Sequence, residues 1–534
     1  MKRTLDAHDP ARRVRAAYAL TKGSLVAACE NNDVEAASII LSRGSCVDLA
    51  EDYGRTPLII SSQNGNSELA RLLLDKNAQV DLADEDGDTP LYISCSQGNE
   101  SMARLLIDGG ALVNTDLRDN SAPCPLFISS SKGHLEVVRL LLARGANPDV
   151  ANAGWFTPLF VACDGGHADV ARLLLDRSAS VDLLNDGITP LMHACTKGHE
   201  PIARLLLDRG AEVNLTRGDG SSALFIPCQT GNEVLASLLL DRGAMVNVRS
   251  SNGTPLCIAC RNGHDAVVCL LLNRGAQVDL ADDNGTPLLH ACRNDHDEVA
   301  LLLLDKKANV DLAHRDTTPL FLCCENGHYD LVELLIEKEA MVDWTDTHGC
   351  TPLSVACKNN NLDEARLLLE SGAQPNLTDD SGFSPLHHAC FNGRLSVVSL
   401  LLCKGAQVDL PNQVGTYPLM IASACGHKDI LDLLIRKGAG VNQATSQKLT
   451  ALHYSCSRAD ERMARVLLRE GALVNQADTF GTTPLHIACQ TGCDSTVRLL
   501  LEWSARVDLA DQDGSTPIDC ARKLGHEVIL KLFD

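Results

Sequence analysis

Aromatic residues are scarce: Phe, Trp and Tyr make up 3% of 534 residues, although 45% of the chain is hydrophobic. A chain of this length ordinarily holds roughly three or four globular domains. So few large rings exclude a set of aromatic-rich cores. Many small layers of Leu, Ala and Val take their place, each unit burying its apolar face on its neighbour. Basic residues are also short, with 47 Lys and Arg against 69 Asp and Glu and a formal net charge of −22. Nucleic acids and anionic membranes draw their affinity from Lys and Arg, so neither is an expected partner, and self-repulsion favours a monomer. No apolar run approaches the ~20 residues that cross a bilayer, so no membrane insertion is expected. Residues 1–22 lack the unbroken apolar stretch of a secretory signal. They carry Lys2, Arg3, Arg12, Arg13, Arg15 and Lys22 against Asp6 and Asp9, and are expected to form a basic capping helix.

What the chain has in abundance is self-similarity. Leucines recur at Leu25, Leu58, Leu91, Leu126, Leu159, Leu191, Leu224 and Leu256, then at Leu288, Leu320, Leu353, Leu386, Leu419, Leu452 and Leu485, ending on Ile518. The steps are 32 or 33 residues, except for 35 between Leu91 and Leu126. A period of this size marks a repeat architecture, here of sixteen units with no gap that would admit an inserted domain. In the sixth unit, Thr189 and Pro190 suit the N-cap and first position of a helix. Leu191, Ala194 and Cys195 then form one apolar face at i, i+3 and i+4. Gly198 ends this helix. Pro201 opens a second, with Ile202, Leu205 and Leu206 as its apolar face and Gly210 beyond its end.

Thr-Pro-Leu, an Ala-Cys pair, Gly-His, Leu-Leu-Leu and Gly-Ala-x-Val-Asp or -Asn recur in that order along the chain, though not all of them in every unit. Thr56-Pro57-Leu58, Gly198-His199 and Gly275-Ala276-Gln277-Val278-Asp279 carry the pattern. It resembles the ankyrin repeat over residues 24–534. The resemblance implies an all-α solenoid of helix-turn-helix units with β-hairpin fingers, which binds partners through finger tips and a concave face. Residues 23–534 are then one continuous array whose last repeat serves as a C-terminal cap. The chain departs from the pattern where Asn77, Ser178, Lys307, Glu339 and Ser504 replace the Gly after the second helix. Side chains disfavour the left-handed backbone that Gly adopts there, so strained or rebuilt turns are expected at Lys307 and Glu339.

Twelve of the 22 cysteines lie four residues after the repeat leucine, from Cys29 to Cys489. Successive members sit about one repeat, roughly 10 Å, apart, beyond the ~7 Å that a disulfide spans between Cα atoms. They are read as small core hydrophobes, and so many unpaired thiols point to a reducing compartment, cytoplasm or nucleus. Cys257 and Cys260 form a C-x-x-C at a helix start, which keeps a thiol redox sensor open as a reading of another class. His193, His290 and His388 stand in repeats six, nine and twelve, too distant to share an ion. Asp84–Gly87 and Asp511–Gly514 look like calcium loops, but position one would be a leucine and position twelve Ile93 or Cys520, so they are read as acidic finger turns. No P-loop, H-E-x-x-H or G-x-S-x-G occurs. No enzyme, metal or cofactor is expected.

Function is therefore sought on the surface, as a scaffold or adaptor for other proteins or peptides. The same array acting as a secreted effector of a parasite or symbiont stays open. Arg and exposed aromatics anchor interfaces. The residues after each Ala-Cys pair include Arg261, Arg293, Lys358 and Phe391, and the finger tips carry Trp155, Phe156, Trp344 and Phe383. These eight are the expected partner-binding residues, with an acidic or extended peptide as the expected ligand. The alternative for the finger aromatics is packing against a neighbouring finger. Tyr92, Phe127, Phe160, Phe225 and Phe321, just after or close to the repeat leucine, are expected to pack between units.

Overall fold

The computed structural model describes residues 25–50, 52–114, 124–151 and 156–533. The expected basic capping helix over 1–22 lies outside the described residues. Those described contain 32 α-helices in sixteen pairs, from Leu25–Glu30 and Val34–Ser42 to Pro517–Lys523 and Glu527–Leu530. The chain divides into two compact units. One comprises residues up to 258 with 269–276, and the other 259–268 with 277 onward. Within each unit, first helices of successive repeats pack side by side, as do second helices.

Local chemistry sets each pair. In repeat six the Thr189 hydroxyl accepts the Met192 N–H at 3.1 Å, capping the helix Pro190–Lys197. Gly198 then turns the chain at φ 75°, and the helix Glu200–Asp208 follows. Leu191, Ala194, Cys195, Ile202, Leu205 and Leu206 are all buried, as the periodicity requires. The recurrent cysteines are core atoms: burial pushes the Cys163 and Cys195 thiols up to about 12. Phe160, Phe225 and Phe321 are buried too.

The Gly-His register is explained by stacking. Gly98 adopts φ 72°, and a Cβ there would lie 2.6 Å from His134 Nδ1 of the next repeat. The same ring's Nε2 is 3.0 Å from the Ser96 carbonyl at the end of the preceding first helix. His167 repeats this on Ser131 at 3.1 Å, and His427 on Phe391 at 3.2 Å. In the last repeats His387, His453 and His486 accept the N–H of Ser384, Thr450 and Thr483 through Nδ1, each at 3.1 Å. Burial pushes His387 down to about 4.

The fingers differ from the expected β-hairpins. Among the described residues there is no strand ladder, only single antiparallel bridges such as Asn185 with Ile188 and Asp282 with Gly285. Turns this short leave no room for a second rung, and an Asp or Asn side chain closes many of them. The Asp84 carboxylate accepts the N–H of Asp86 and Asp88 at 3.1 and 2.8 Å, and Asp511 accepts those of Asp513 and Ser515 at 3.0 and 2.8 Å. Both calcium-loop lookalikes are thus closed by their own backbone. The glycine-deficient turns keep their shape instead of being rebuilt: Asn77, Ser178, Lys307, Glu339 and Ser504 all lie between φ 63° and 66°.

Candidate partner-binding site

Several basic side chains at the ends of the second helices form ion pairs between consecutive repeats. Arg144 meets Asp108 at 2.8 Å, Arg209 meets Asp176 at 2.9 Å and Lys338 meets Asp305 at 2.9 Å. Exposed pairs of this kind contribute little stability. They do remove those cations from any binding surface.

Repeats eight to ten differ. Asp282 opens the finger of repeat nine and accepts the N–H groups of Asn284 and Gly285 at 2.8 and 2.9 Å. His290, on the helix Pro287–Arg293, is 1% exposed and sets Nε2 2.9 Å from both Asp282 oxygens. Arg261 comes from the preceding repeat and places Nη2 2.9 Å from Asp282. Burial acts to raise the Asp282 pKa, but the His290 hydrogen bond, the Asn284 N–H and the charges of His290 and Arg261 hold it below the usual carboxylate range. This carboxylate is a fixed anion that pins Arg261 and His290 at the mouth of a cavity.

That cavity has a volume of about 520 Å³ and is lined by Arg261, His290, Arg293, Asn294, His314 and Arg315, among others. Arg293 donates to the Asn284 carbonyl at 3.3 Å, and His314 Nε2 lies 3.1 Å from the Asp283 carbonyl. Arg315 stands in the finger of repeat ten at φ 48°. Among the described residues, neither Arg293 nor Arg315 has a carboxylate within ion-pair distance. Two guanidiniums without carboxylates, beside a third that is held in place, make a cationic recess on an acidic chain.

The other expected site residues are dispersed. Trp344 does not join this recess. It lines a separate cavity of about 530 Å³ with Met341, Val342, Asp343 and Thr345, and its Nε1 is buried with no hydrogen-bond partner among the described residues. Lys358 is exposed at the end of the helix Pro352–Asn359. Phe383 stacks at 5.5 and 5.6 Å on His387 and His388 of its own repeat. Phe156 meets Phe160 edge-on at 5.3 Å. Both rings lean on their own repeat's first helix. Phe391 is 59% exposed. Trp155 lies outside the described residues.

Asp282, His314 and Arg315 were not singled out from the sequence. They sit in finger turns, whereas the search there followed the register after Ala-Cys and the aromatic tips. A turn arginine, at a register five residues before the repeat leucine where no other repeat has Arg or Lys, was the available signal. His290 was set aside as a structural histidine, and its burial against Asp282 agrees with that while also placing it in the recess wall.

No helix among the described residues is long and apolar enough to cross a membrane. No curated protein matches the chain. The family model for ankyrin repeats in three copies matches eight overlapping stretches: 19–84, 63–152, 126–217, 209–282, 278–346, 339–412, 386–478 and 460–534. Together with the capped helix pairs and the Gly-His stacking, this match over nearly the whole length shows that the chain belongs to the ankyrin-repeat family.

Proposed function

We propose that the chain is a protein-interaction scaffold whose recess at Arg261, Arg293 and Arg315 holds an acidic, extended peptide segment of a partner protein. The single observation behind this reading is the pair of guanidiniums without carboxylate partners, Arg293 and Arg315, in a chain of net charge −22. A site with this charge selects carboxylate-rich segments, and arginine forks bind carboxylates bidentately. Ankyrin repeats as a family serve protein binding and are typically non-enzymatic, which supports a binding role over a catalytic one. Free thiols, most of them buried, suit the cytoplasm or nucleus. A redox sensor at Cys257 and Cys260 takes second place, because both sulfurs are fully buried and a reactive thiol needs access.

The test is fluorescence anisotropy with the full chain, an Asp/Glu-rich peptide and its Asn/Gln counterpart. The acidic peptide should bind with an affinity that falls as salt rises. Arg293→Ala with Arg315→Ala should weaken it by about tenfold or more. Equal affinity for the amide counterpart, or an unaffected double variant, would reject the recess as the docking site.

A further inference from the structure

The Asp–His pairing seen at Asp282 and His290 recurs three repeats later, in more solvent-accessible surroundings. Asp379 opens the finger of repeat twelve and gives one oxygen to the N–H groups of Ser381 and Phe383, at 2.9 and 2.8 Å. Its second oxygen lies 3.1 Å from Nε2 of His388, on the helix Pro385–Phe391. In repeat nine the equivalent carboxylate holds a cation, the Arg261 guanidinium, at 2.9 Å. The residue at Arg261's register in repeat eleven is Lys358, and it makes no ion pair with Asp379 within 4.0 Å. Cys350 brings a sulfur from the finger of repeat eleven. One donor atom each from Cys350, Asp379 and His388 lies within 4.8 Å of the other two.

We propose that Cys350, Asp379 and His388 form a binding site for a zinc-class divalent ion, with a solvent molecule as fourth ligand. Sulfur, imidazole and carboxylate together suit Zn²⁺ or Co²⁺, whereas Ca²⁺ and Mg²⁺ take oxygen alone. Metal–ligand bonds of about 2.0 to 2.3 Å put tetrahedral donors about 3.5 Å apart. The Asp379–His388 pair therefore opens slightly from 3.1 Å, and the sulfur, at most 4.8 Å from either donor, is brought to bonding distance by rotation of the Cys350 side chain. Two arms are already fixed. The Asp379 carboxylate is held by two backbone N–H groups, and the His388 ring is backed by Phe383 at 5.6 Å. The side chains of Asp379 and His388 are 12% and 19% exposed, so the site is shielded but open to solvent.

The local charges divide. Asp346, Asp379 and Asp380 surround Cys350 and favour a cation, while Lys358 acts on both Cys350 and His388 and opposes it. Lys358 is exposed and can swing into water. Burial and the neighbouring aspartates push the Cys350 thiol up to about 11, so it is protonated before the ion arrives. Binding forms a metal–sulfur bond, breaks the S–H bond and releases that one proton to solvent. His388 stays neutral, its N–H passing from Nε2 to Nδ1 so that Nε2 can ligate. No ligand spacing is visible in the sequence here, since the three donors come from two fingers and a helix of consecutive repeats.

The experiment is a Co²⁺ titration of the full chain after chelator treatment, followed by absorption. We expect one equivalent bound, with thiolate-to-cobalt charge transfer and tetrahedral d–d bands that Zn²⁺ abolishes. Cys350→Ala should remove the charge-transfer band, while Cys493→Ala, at another half-buried thiol, should leave it unchanged. Asp379→Asn retains the turn's carbonyl acceptor and should weaken Co²⁺ binding at least severalfold, as should His388→Gln. If circular dichroism shows Cys350→Ala misfolded, the latter two variants decide by the same criterion. Absence of tetrahedral bands, or a charge-transfer band that persists in the folded Cys350→Ala variant, overturns the site.

Discussion

Asn442 grips the backbone of the following repeat from both ends of its carboxamide: its oxygen accepts the Leu473 N–H at 2.8 Å, and its Nδ2 donates to the Gly471 carbonyl at 2.9 Å. Asn114 does the same to Asn147 and Gly145, and Asn214 to Met245 and Gly243. Where the position is Asp, as at Asp343, the Gln374 N–H is still met, at 3.1 Å. The Asp or Asn at this register is thus a staple from one repeat to the next.

Asn442→Ala should lower stability by about 1 kcal/mol, the low value reflecting its solvent exposure. Asn442→Asp keeps the acceptor and should lose less. Denaturant midpoints order the two variants. Equal loss in both would mean that the bond to Leu473 contributes nothing.

Lys307 holds φ 65° after the helix Asp297–Asp305. An L side chain there costs roughly 1 kcal/mol, which exceeds the cost of the extra conformational freedom that a glycine gives the unfolded chain. Lys307→Gly should therefore raise the midpoint. A lowered midpoint would show that the lysine makes a compensating interaction.

The sequence made the helix phase legible because its signals are local. Thr189 caps, Pro190 starts and Gly198 stops the same helix in any surroundings. Cysteine placement was legible for the same reason, since register alone puts Cys195 beside Leu191 in the core. The recess was only half legible. Arg261 and Arg293 share the post-Ala-Cys register, but Arg315 reaches them from a finger, and adjacency between a turn and a neighbouring helix is not encoded in register. Trp344 was grouped with them by proximity in the chain, yet it opens onto its own cavity. The β-hairpins came from family resemblance, and these short Asx-closed turns do not extend into ladders.

His453 makes stability acid-sensitive. Burial lowers its pKa from the ordinary 6.5, with Nδ1 accepting the Thr450 N–H and Nε2 3.3 Å from the Thr482 carbonyl. The unfolded chain takes up a proton near 6.5, and the folded chain only at lower pH. The contribution of neutral His453 is therefore complete above 6.5 and is lost as pH falls toward the folded value. Midpoints at pH 7.5 and 5 should fall further in the wild type than in His453→Gln. Identical slopes would place the acid sensitivity elsewhere.

Arg261 and Arg293 line one recess but should respond differently to removal. Arg261 neutralises Asp282, a carboxylate whose side chain is only 4% exposed, while its own side chain keeps 33% exposure. Deleting one partner leaves a buried anion without full compensation. His290 and two backbone N–H groups remain as hydrogen-bond partners, so Arg261→Ala should cost at most about 2 kcal/mol. Among the described residues Arg293 bonds the Asn284 carbonyl alone, and its loss should leave the midpoint within about 0.5 kcal/mol of wild type. Acidic-peptide affinity should fall in both variants. Restoring neutrality with Arg261→Ala plus Asp282→Asn should recover most of the stability without recovering the affinity. If the double variant binds as the wild type does, the guanidinium of Arg261 is a structural counter-ion and the ligand is held by Arg293 and Arg315 alone.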